Sequence, residues 1–218
     1  MCTPTVTLAP FALAALGSMP NPPVITVEQR ISVEWNPGHE AVLRIAVESE
    51  TDLDRVQIFR PDGRSLGEFD ARDRLPRGLA GLDLELREAD LATLEENYRE
   101  GRYALRAATP DGRIAVGCAT LSFAMPPQPS VLHPQPDSIV PGGNLHVVWN
   151  PDPGAAGYEL TLEQEDDDGL RVRLPPERHS FLVPDGILAP GLETSLEVAA
   201  IGANGNRTVV EVTFTIQP

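Results

Sequence analysis

Proline and glycine interrupt this chain too often for it to form long helices. Its 218 residues include 22 prolines and 18 glycines. Proline lacks the backbone donor that a helix interior needs, and glycine favours turns. Because 41% of the residues are hydrophobic, packed cores can still form, and the sequence predicts an all-β protein of many short strands.

Alternating apolar and polar residues mark strands in the N-terminal half. Val24–Trp35 is the longest such run, and its period of two is typical of a half-buried strand. Arg102–Thr109 and Arg113–Phe123 flank a Pro-Asp-Gly turn, which predicts a β-hairpin. Only Ala89–Tyr98 has helix-like spacing, so we expect one short helix between strands.

The C-terminal half contains roughly seven short strands, a number typical of a β-sandwich. They include Asn144–Trp149, Gly157–Gln164 and Thr208–Ile216. Trp149 ends an alternating strand, and we predict that it is a core residue.

A proline-rich segment, Met125–Pro129, separates the two halves. Three prolines in four residues cannot continue a strand ladder and favour an extended spacer. The sequence therefore predicts an apolar N-terminal tail or remnant export signal at 1–22, a first sandwich at 23–124, a linker at 125–129 with few contacts, and a second sandwich at 130–218.

Trp149, the strand Gly157–Gln164 and the segment Leu188–Thr208 together resemble a fibronectin type III domain. The family's Leu-x-Pro-Gly step before strand F is matched by Leu188–Gly191. Thr194 stands where the family usually carries a tyrosine whose hydroxyl ties the corner between strands E and F. The resemblance implies that this corner depends instead on the Pro-Gly turn and on packing.

From about Ile25 onward the chain also resembles uncharacterised bacterial proteins that pair an N-terminal immunoglobulin-like domain with a C-terminal fibronectin type III domain. This resemblance implies two tandem immunoglobulin-like or fibronectin type III β-sandwiches, often exported. The matching stretches are Ile58–Leu66, Gly78–Asp90, the hairpin Gly101–Arg113 and the ending Gly205–Phe214.

The formal net charge of −15 disfavours nucleic acid and anionic membrane surfaces as partners. All the basic residues are arginine, which excludes chemistry that needs a lysine amine. The sequence has no HExxH or GxSxG motif and no phosphate-binding glycine loop. We therefore predict a protein that is not an enzyme, and we expect its four histidines to lie at the surface or at strand edges.

Four acidic residues, Glu48, Glu50, Asp52 and Asp54, alternate with other side chains at the exit of a predicted strand. Side chains at every second position share one face, and calcium takes six to eight oxygen ligands. If a divalent ion binds, this is the predicted site; the alternative interpretation is a solvated acidic strand end. No other cofactor is expected.

The segment Thr3–Met19 is apolar but broken by Pro10, and it lacks a basic residue before it. It is too short to span a bilayer, and an atypical export signal, a docked strand and a flexible tail all remain open. Cys2 and Cys118 do not form a disulfide framework, and Cys118 is predicted to be a small buried residue.

The leading hypothesis is a non-catalytic binding or structural module, extracellular or periplasmic, that acts through contacts with a protein or a surface polymer, with self-association left open. One alternative is a carbohydrate- or polymer-active accessory protein that uses calcium. Another is a subunit of a larger assembly that adds its N-terminal segment as a strand to a neighbour.

Overall fold

The computed structural model describes residues 24–71, 79–141, 143–164 and 169–218. The predicted N-terminal tail and export signal lie outside these residues. The elements are β1 (Val24–Thr26), β2 (Glu28–Trp35), β3 (Ala41–Leu53), β4 (Arg55–Phe59), β5 (Ser65–Asp70), β6 (Leu79–Glu88), α1 (Leu91–Asn97), β7 (Gly101–Ala108), β8 (Ile114–Leu121), β9 (Val131–His133), β10 (Ile139–Val140), β11 (His146–Trp149), β12 (Gly157–Gln164), β13 (Gly169–Leu174), β14 (Ser180–Leu182), β15 (Glu193–Ile201) and β16 (Arg207–Ile216).

The all-β prediction is confirmed, and so is the short helix between strands. Helix α1 begins after Asp90, whose carboxylate accepts a hydrogen bond from the backbone N–H of Thr93 at 2.8 Å. This bond lowers the pKa of Asp90, because it stabilises the ionised carboxylate. The long predicted strand Val24–Trp35 divides at Val27 into β1 and β2.

The described residues form two compact units. Unit 1 comprises residues up to Ile31 together with Arg44–Glu85 and Tyr98–Leu121. Unit 2 comprises Ser32–Leu43, Leu86–Asn97 and Ser122–Pro218. The division at 125–129 into two independently folding sandwiches stays a prediction, but the structure adds two N-terminal segments to unit 2 that the sequence division had left in the first half.

Unit 1 contains a five-stranded sheet in the order β1-β8-β7-β4-β5. The predicted hairpin forms its centre, as the antiparallel pair β7 and β8. Strands β2, β3 and β6 are neighbours in a second sheet. Within unit 1, Arg30 of β2 pairs with Glu48 of β3, and Arg44 of β3 pairs with Glu85 of β6.

Unit 2 is a β-sandwich, as the sequence predicted. Its strands β13, β12, β15 and β16 form one antiparallel run, and β14, β11 and β9 form a second sheet. The outer strand β16 is extended on its far side by parallel pairing with β10 and with Glu34 and Trp35 at the end of β2. Through this pairing the segment Ser32–Leu43 is part of unit 2.

The core of unit 2 lies between these two sheets and is built around Trp149. Its side chain is 0% exposed, which confirms the prediction of a core tryptophan. The ring lies edge-on to Tyr158, with 5.4 Å between the centroids. Leu160, Leu162 and Phe214 pack in the same cluster.

The proline-rich segment is attached to unit 2, contrary to the expectation of few contacts. Pro126 and Pro129 are buried, and the Thr208 hydroxyl donates to the Pro126 carbonyl at 2.6 Å. Proline removes a donor from the backbone but leaves the carbonyl as an acceptor. A cluster of prolines therefore interrupts a strand ladder, but its carbonyl groups can still accept hydrogen bonds from the adjacent domain.

The corner before β15 is tied by a side chain that the sequence comparison did not single out. The Gln164 amide donates to the Thr194 hydroxyl at 2.9 Å and to the Ala189 carbonyl at 3.2 Å, and its oxygen accepts from the Ala189 N–H at 2.7 Å. Gln164 and Thr194 are buried. The corner thus has a buried side-chain hydrogen bond in addition to the Pro-Gly turn and the packing on which it was expected to depend.

We expect Gln164→Ala to lower the free energy of unfolding of unit 2 by about 1–3 kcal/mol, because the buried Thr194 hydroxyl and the half-buried Ala189 N–H both lose their partner. Urea unfolding of the full chain measures this loss. Thr194→Val should cost less, since the amide keeps both of its bonds to Ala189. A loss no larger than that of the exposed control Gln128→Ala would contradict the role of Gln164.

Candidate functional site

An acidic cleft of about 380 Å³ lies on the face of β15 and β16 that is turned away from the unit 2 core. Every residue that lines it belongs to unit 2. The lining residues are Glu34, Asn36, His39, Glu40, Val42, Glu197, Val209 and Glu211. The volume is at the small end of the range of about 300–1,000 Å³ for ligand pockets, and the lining is mainly charged or polar. These properties suit a cationic group of side-chain size.

Three of the four carboxylates in the cleft already have partners within unit 2. Glu34 contacts Arg207 at 3.5 Å, Glu40 accepts from Arg87, and Glu211 accepts from the Ser195 hydroxyl at 2.8 Å. In the described part of the chain, Glu197 makes neither a hydrogen bond nor an ion pair. The cleft therefore contains one carboxylate that is available to a ligand.

Glu197 and Glu211 are direct cross-strand partners in the register of β15 and β16. Side chains in such a pair have their Cβ atoms about 4.5–5.5 Å apart, and like charges directly opposite each other are destabilising. Glu34 lies beside them on the end of β2. The strand register thus concentrates negative charge at one point of the cleft instead of dispersing it.

The pKa of Glu197 is raised above its ordinary value of 4.5. The main cause is that the cleft withdraws part of the carboxyl group from water, although the side chain as a whole keeps access to solvent. Repulsion from Glu211, Glu34 and Glu163 adds to this effect, and attraction to Arg171 works against it. A cation entering the cleft would relieve this repulsion.

A buried carboxylate on β12, that of Glu159, binds two arginines. Glu159 is only 3% exposed, and it binds Arg173 at 2.7 Å and also Arg207. Burial alone would raise the pKa of Glu159, but the hydrogen bonds from Arg173 and Arg207 outweigh it and lower the pKa. Arg207 is therefore shared between the buried Glu159 and Glu34 of the cleft.

The predicted calcium ligands lie in a row along one strand. Glu48, Glu50 and Asp52 are exposed at alternate positions of β3, and Asp54 follows the end of that strand. Alternate side chains on an extended strand are about 6.6 Å apart, and Glu48 is already paired with Arg30. Within residues 24–71, 79–141, 143–164 and 169–218, no group of three or more histidine, cysteine, aspartate or glutamate side chains could hold a metal ion. Calcium binding at these four residues stays a prediction.

All four histidines are exposed, in agreement with the sequence prediction. Only His39 lines the acidic cleft; the others are His133, His146 and His179. Cys118 is half-buried on β8 rather than fully buried as predicted. Most residues of β8 are half-buried, and Cys118 is one of them.

Sequence reasoning missed the cleft because its members lie far apart in the chain. Glu34 lies in the alternating run Val24–Trp35, but nothing in that pattern pairs it with residues more than 150 positions away. The usable signal was the repeated outward glutamate in two strands joined by a short turn, Glu197 and Glu211. A hairpin register predicted from the turn Asn204–Asn206 would have brought those two together.

No protein-family profile matches the chain, and no curated protein matches it. Several solved structures are similar to the chain. A segment of two fibronectin type III domains from chicken tenascin is 13% identical over 86% of this chain and 99% of that one, with a TM-score of 0.34. The fibronectin type III-like modules of Clostridium thermocellum CbhA are 11% identical over 88% and 94% of the two chains, with a TM-score of 0.36. Similarity at this level carries no information on function.

Among the described residues, no helix is long and apolar enough to cross a membrane.

Proposed function

We propose that this protein is a non-catalytic binding module that acts through protein–protein contacts, and that the acidic cleft of unit 2 receives a basic side chain of its partner. The observation that carries this proposal is the pair Glu197 and Glu211. Two carboxylates opposed across a strand pair weaken the sheet, and natural proteins break such local rules mainly at functional sites. A guanidinium or ammonium group in the cleft would turn this repulsion into attraction.

The geometry suits recognition better than catalysis. Glu34, Glu40 and Glu211 are each held in place by an arginine or a hydroxyl. Carboxylates fixed in this way offer a shaped negative surface, whereas acid–base chemistry needs a group within reach of a bound proton donor or acceptor. The net charge of −15 favours the same class of partner, because it attracts basic proteins at long range.

We further propose that the protein works at the bacterial cell surface or in the periplasm. The support for this location is the sequence resemblance to exported proteins that pair an immunoglobulin-like domain with a fibronectin type III domain.

The test of the binding function uses an oligoarginine peptide of about six residues, which reproduces the charge of a basic partner segment. We expect the full-length protein to bind it at neutral pH and low salt. The double variant Glu197→Gln with Glu211→Gln should bind it about five- to tenfold more weakly, since exposed ion pairs contribute up to about 1 kcal/mol each. Isothermal titration calorimetry measures both affinities.

Two controls separate this site from general charge attraction. Glu177→Gln removes one exposed negative charge elsewhere in unit 2 and should leave the affinity unchanged. A Gly-Ser peptide of the same length should not bind. The double variant should be at least as stable as the wild type, because it removes a repulsive pair. Equal binding by the double variant and Glu177→Gln would contradict the assignment of the cleft.

A further inference from the structure

We infer that the turn between β15 and β16 is a site of spontaneous covalent modification, at which Asn204 reacts with the backbone of Gly205 and becomes aspartate or isoaspartate. This inference does not depend on the proposed function of the cleft. Asn204 and Gly205 form the only Asn-Gly pair in the sequence. Because glycine has no side chain, its backbone nitrogen can approach the neighbouring carboxamide more closely than that of any other residue.

The turn exposes Asn204 to solvent but holds its side chain in a defined position. The carboxamide oxygen accepts from the Asn206 N–H at 3.1 Å, and the carboxamide nitrogen donates to the Ala124 carbonyl at 2.9 Å. A Cβ atom added at Gly202 would lie 2.8 Å from the same oxygen, so the side chain is folded back over the turn. The carboxamide is therefore already oriented toward the backbone with which it reacts.

The reaction forms a bond between the Gly205 nitrogen and the Cγ atom of Asn204, and it breaks the bond from Cγ to Nδ2. The Gly205 nitrogen gives up its proton, Nδ2 leaves as ammonia, and a succinimide ring results. Water then opens the ring. Addition of water to Cγ gives aspartate, whereas addition to the main-chain carbonyl carbon of residue 204 gives isoaspartate, in which the backbone runs through the side-chain carbon. Water is the only other reactant.

The hydrogen bonds of the turn both promote and restrain this reaction. The Asn206 N–H stabilises the negative charge that develops on the carboxamide oxygen when Cγ is attacked, as an oxyanion-hole donor does. The Gly205 N–H donates to the Gly202 carbonyl at 2.9 Å, and this proton must be removed before the nitrogen can attack. The reaction therefore depends on base and should become faster as the pH rises.

The modification would weaken the attachment of the segment that precedes β9. Asn204 and Asn206 both donate to the Ala124 carbonyl, at 2.9 and 3.2 Å. Conversion of Asn204 to a carboxylate removes the first donor and places a negatively charged acceptor beside that carbonyl. Isoaspartate also lengthens the backbone of the turn, which is closed by the hydrogen bond from the Gly202 N–H to the Asn206 carbonyl. Unit 2 should therefore lose stability as the protein ages.

The experiment incubates the full-length protein at physiological temperature, at mildly alkaline and at mildly acidic pH, and maps its peptides by mass spectrometry over several weeks. Asn204 should be converted faster at the alkaline pH, with isoaspartate among the products. Asn206 is the internal control, because it is buried and precedes Arg207. It should be converted about tenfold more slowly or less, since an arginine side chain hinders the attack that glycine permits.

Two variants separate the reaction from its structural effect. Gly205 has a φ of 86°, a left-handed conformation that aspartate tolerates better than most residues. Gly205→Asp therefore retains the turn, but its side chain should slow the conversion of Asn204 about tenfold. Asn204→Asp reproduces one product and should lower the Tm by about 2–6 °C, the effect of one lost hydrogen bond in a domain of this size.

Each result decides one part of the inference. Conversion of Asn204 no faster than that of Asn206, or equally fast in Gly205→Asp, would overturn the assignment of the reactive turn. An unchanged Tm for Asn204→Asp, together with an unchanged Tm for the incubated wild type, would overturn the weakened attachment at Ala124. A Tm of the incubated wild type that falls in proportion to the converted fraction would support both.

Discussion

Replacing Trp149 by alanine should lower the free energy of unfolding of unit 2 by about 3–5 kcal/mol, the usual cost of truncating a buried tryptophan. The side chain is 0% exposed and packs edge-on against Tyr158. Its indole N–H has no hydrogen-bond partner among the described residues. The expected loss is therefore a packing loss, made of lost apolar contacts and a cavity in the core.

Urea unfolding followed by the fluorescence of the remaining tryptophan, Trp35, measures this effect, because Trp35 belongs to the same unit. Trp149→Phe is the matched control: it keeps an aromatic ring beside Tyr158 and removes the unpartnered N–H, so we expect less than half of the alanine loss. A phenylalanine variant as unstable as the alanine variant would show that the packing account is wrong.

Replacing Asn206 by alanine should cost about 2–5 kcal/mol, since the buried Val33 N–H loses its partner at about 1–3 kcal/mol and the two half-buried hydrogen bonds to carbonyl groups add about 0.5–1.5 kcal/mol each. Asn206 is 2% exposed. Its amide oxygen accepts from the Val33 N–H at 2.9 Å, and its amide nitrogen donates to the Ser122 carbonyl at 2.7 Å and to the Ala124 carbonyl at 3.2 Å. One side chain thus joins three segments of unit 2.

The neighbouring Asn204 supplies the control. It is exposed, and its side chain donates to the Ala124 carbonyl at 2.9 Å. Asn204→Ala should cost about 0.5–1.5 kcal/mol, the net value of an ordinary hydrogen bond. Thermal and urea unfolding of both variants test the difference. Losses of equal size would mean that burial does not amplify the role of Asn206.

Much of the fold was predictable because it depends on local patterns. Alternation located most strands, and the Pro-Asp-Gly turn fixed the hairpin of β7 and β8. The burial of Trp149 followed from its place at the end of an alternating strand. These features depend on residues close together in sequence, where side-chain period and turn chemistry act directly.

What escaped prediction depends on long-range pairing. The parallel contact of Glu34 and Trp35 with β16 assigns Ser32–Leu43 to unit 2, and no sequence period encodes a partner so distant. The same is true of Gln164, whose amide ties the corner before β15 to Thr194 and Ala189. The acidic cleft was missed because predicting it requires two things at once. One is the register of the hairpin β15–β16, and the other is the pairing of β16 with the end of the distant strand β2.

The hydrogen bond between Val33 and Asn206 also affects folding during synthesis, because it can form only after both residues have been translated. The two residues are separated by 173 positions, and ribosomes add about 5–20 residues per second, so Val33 is made about 10–35 s before its partner exists. During that interval Ser32–Leu43 belongs to a unit that cannot yet be completed. Its side chains Val33 and Leu43 are fully buried in the finished protein. They are therefore the part of the nascent chain that we expect a chaperone to cover until the last strand has been translated.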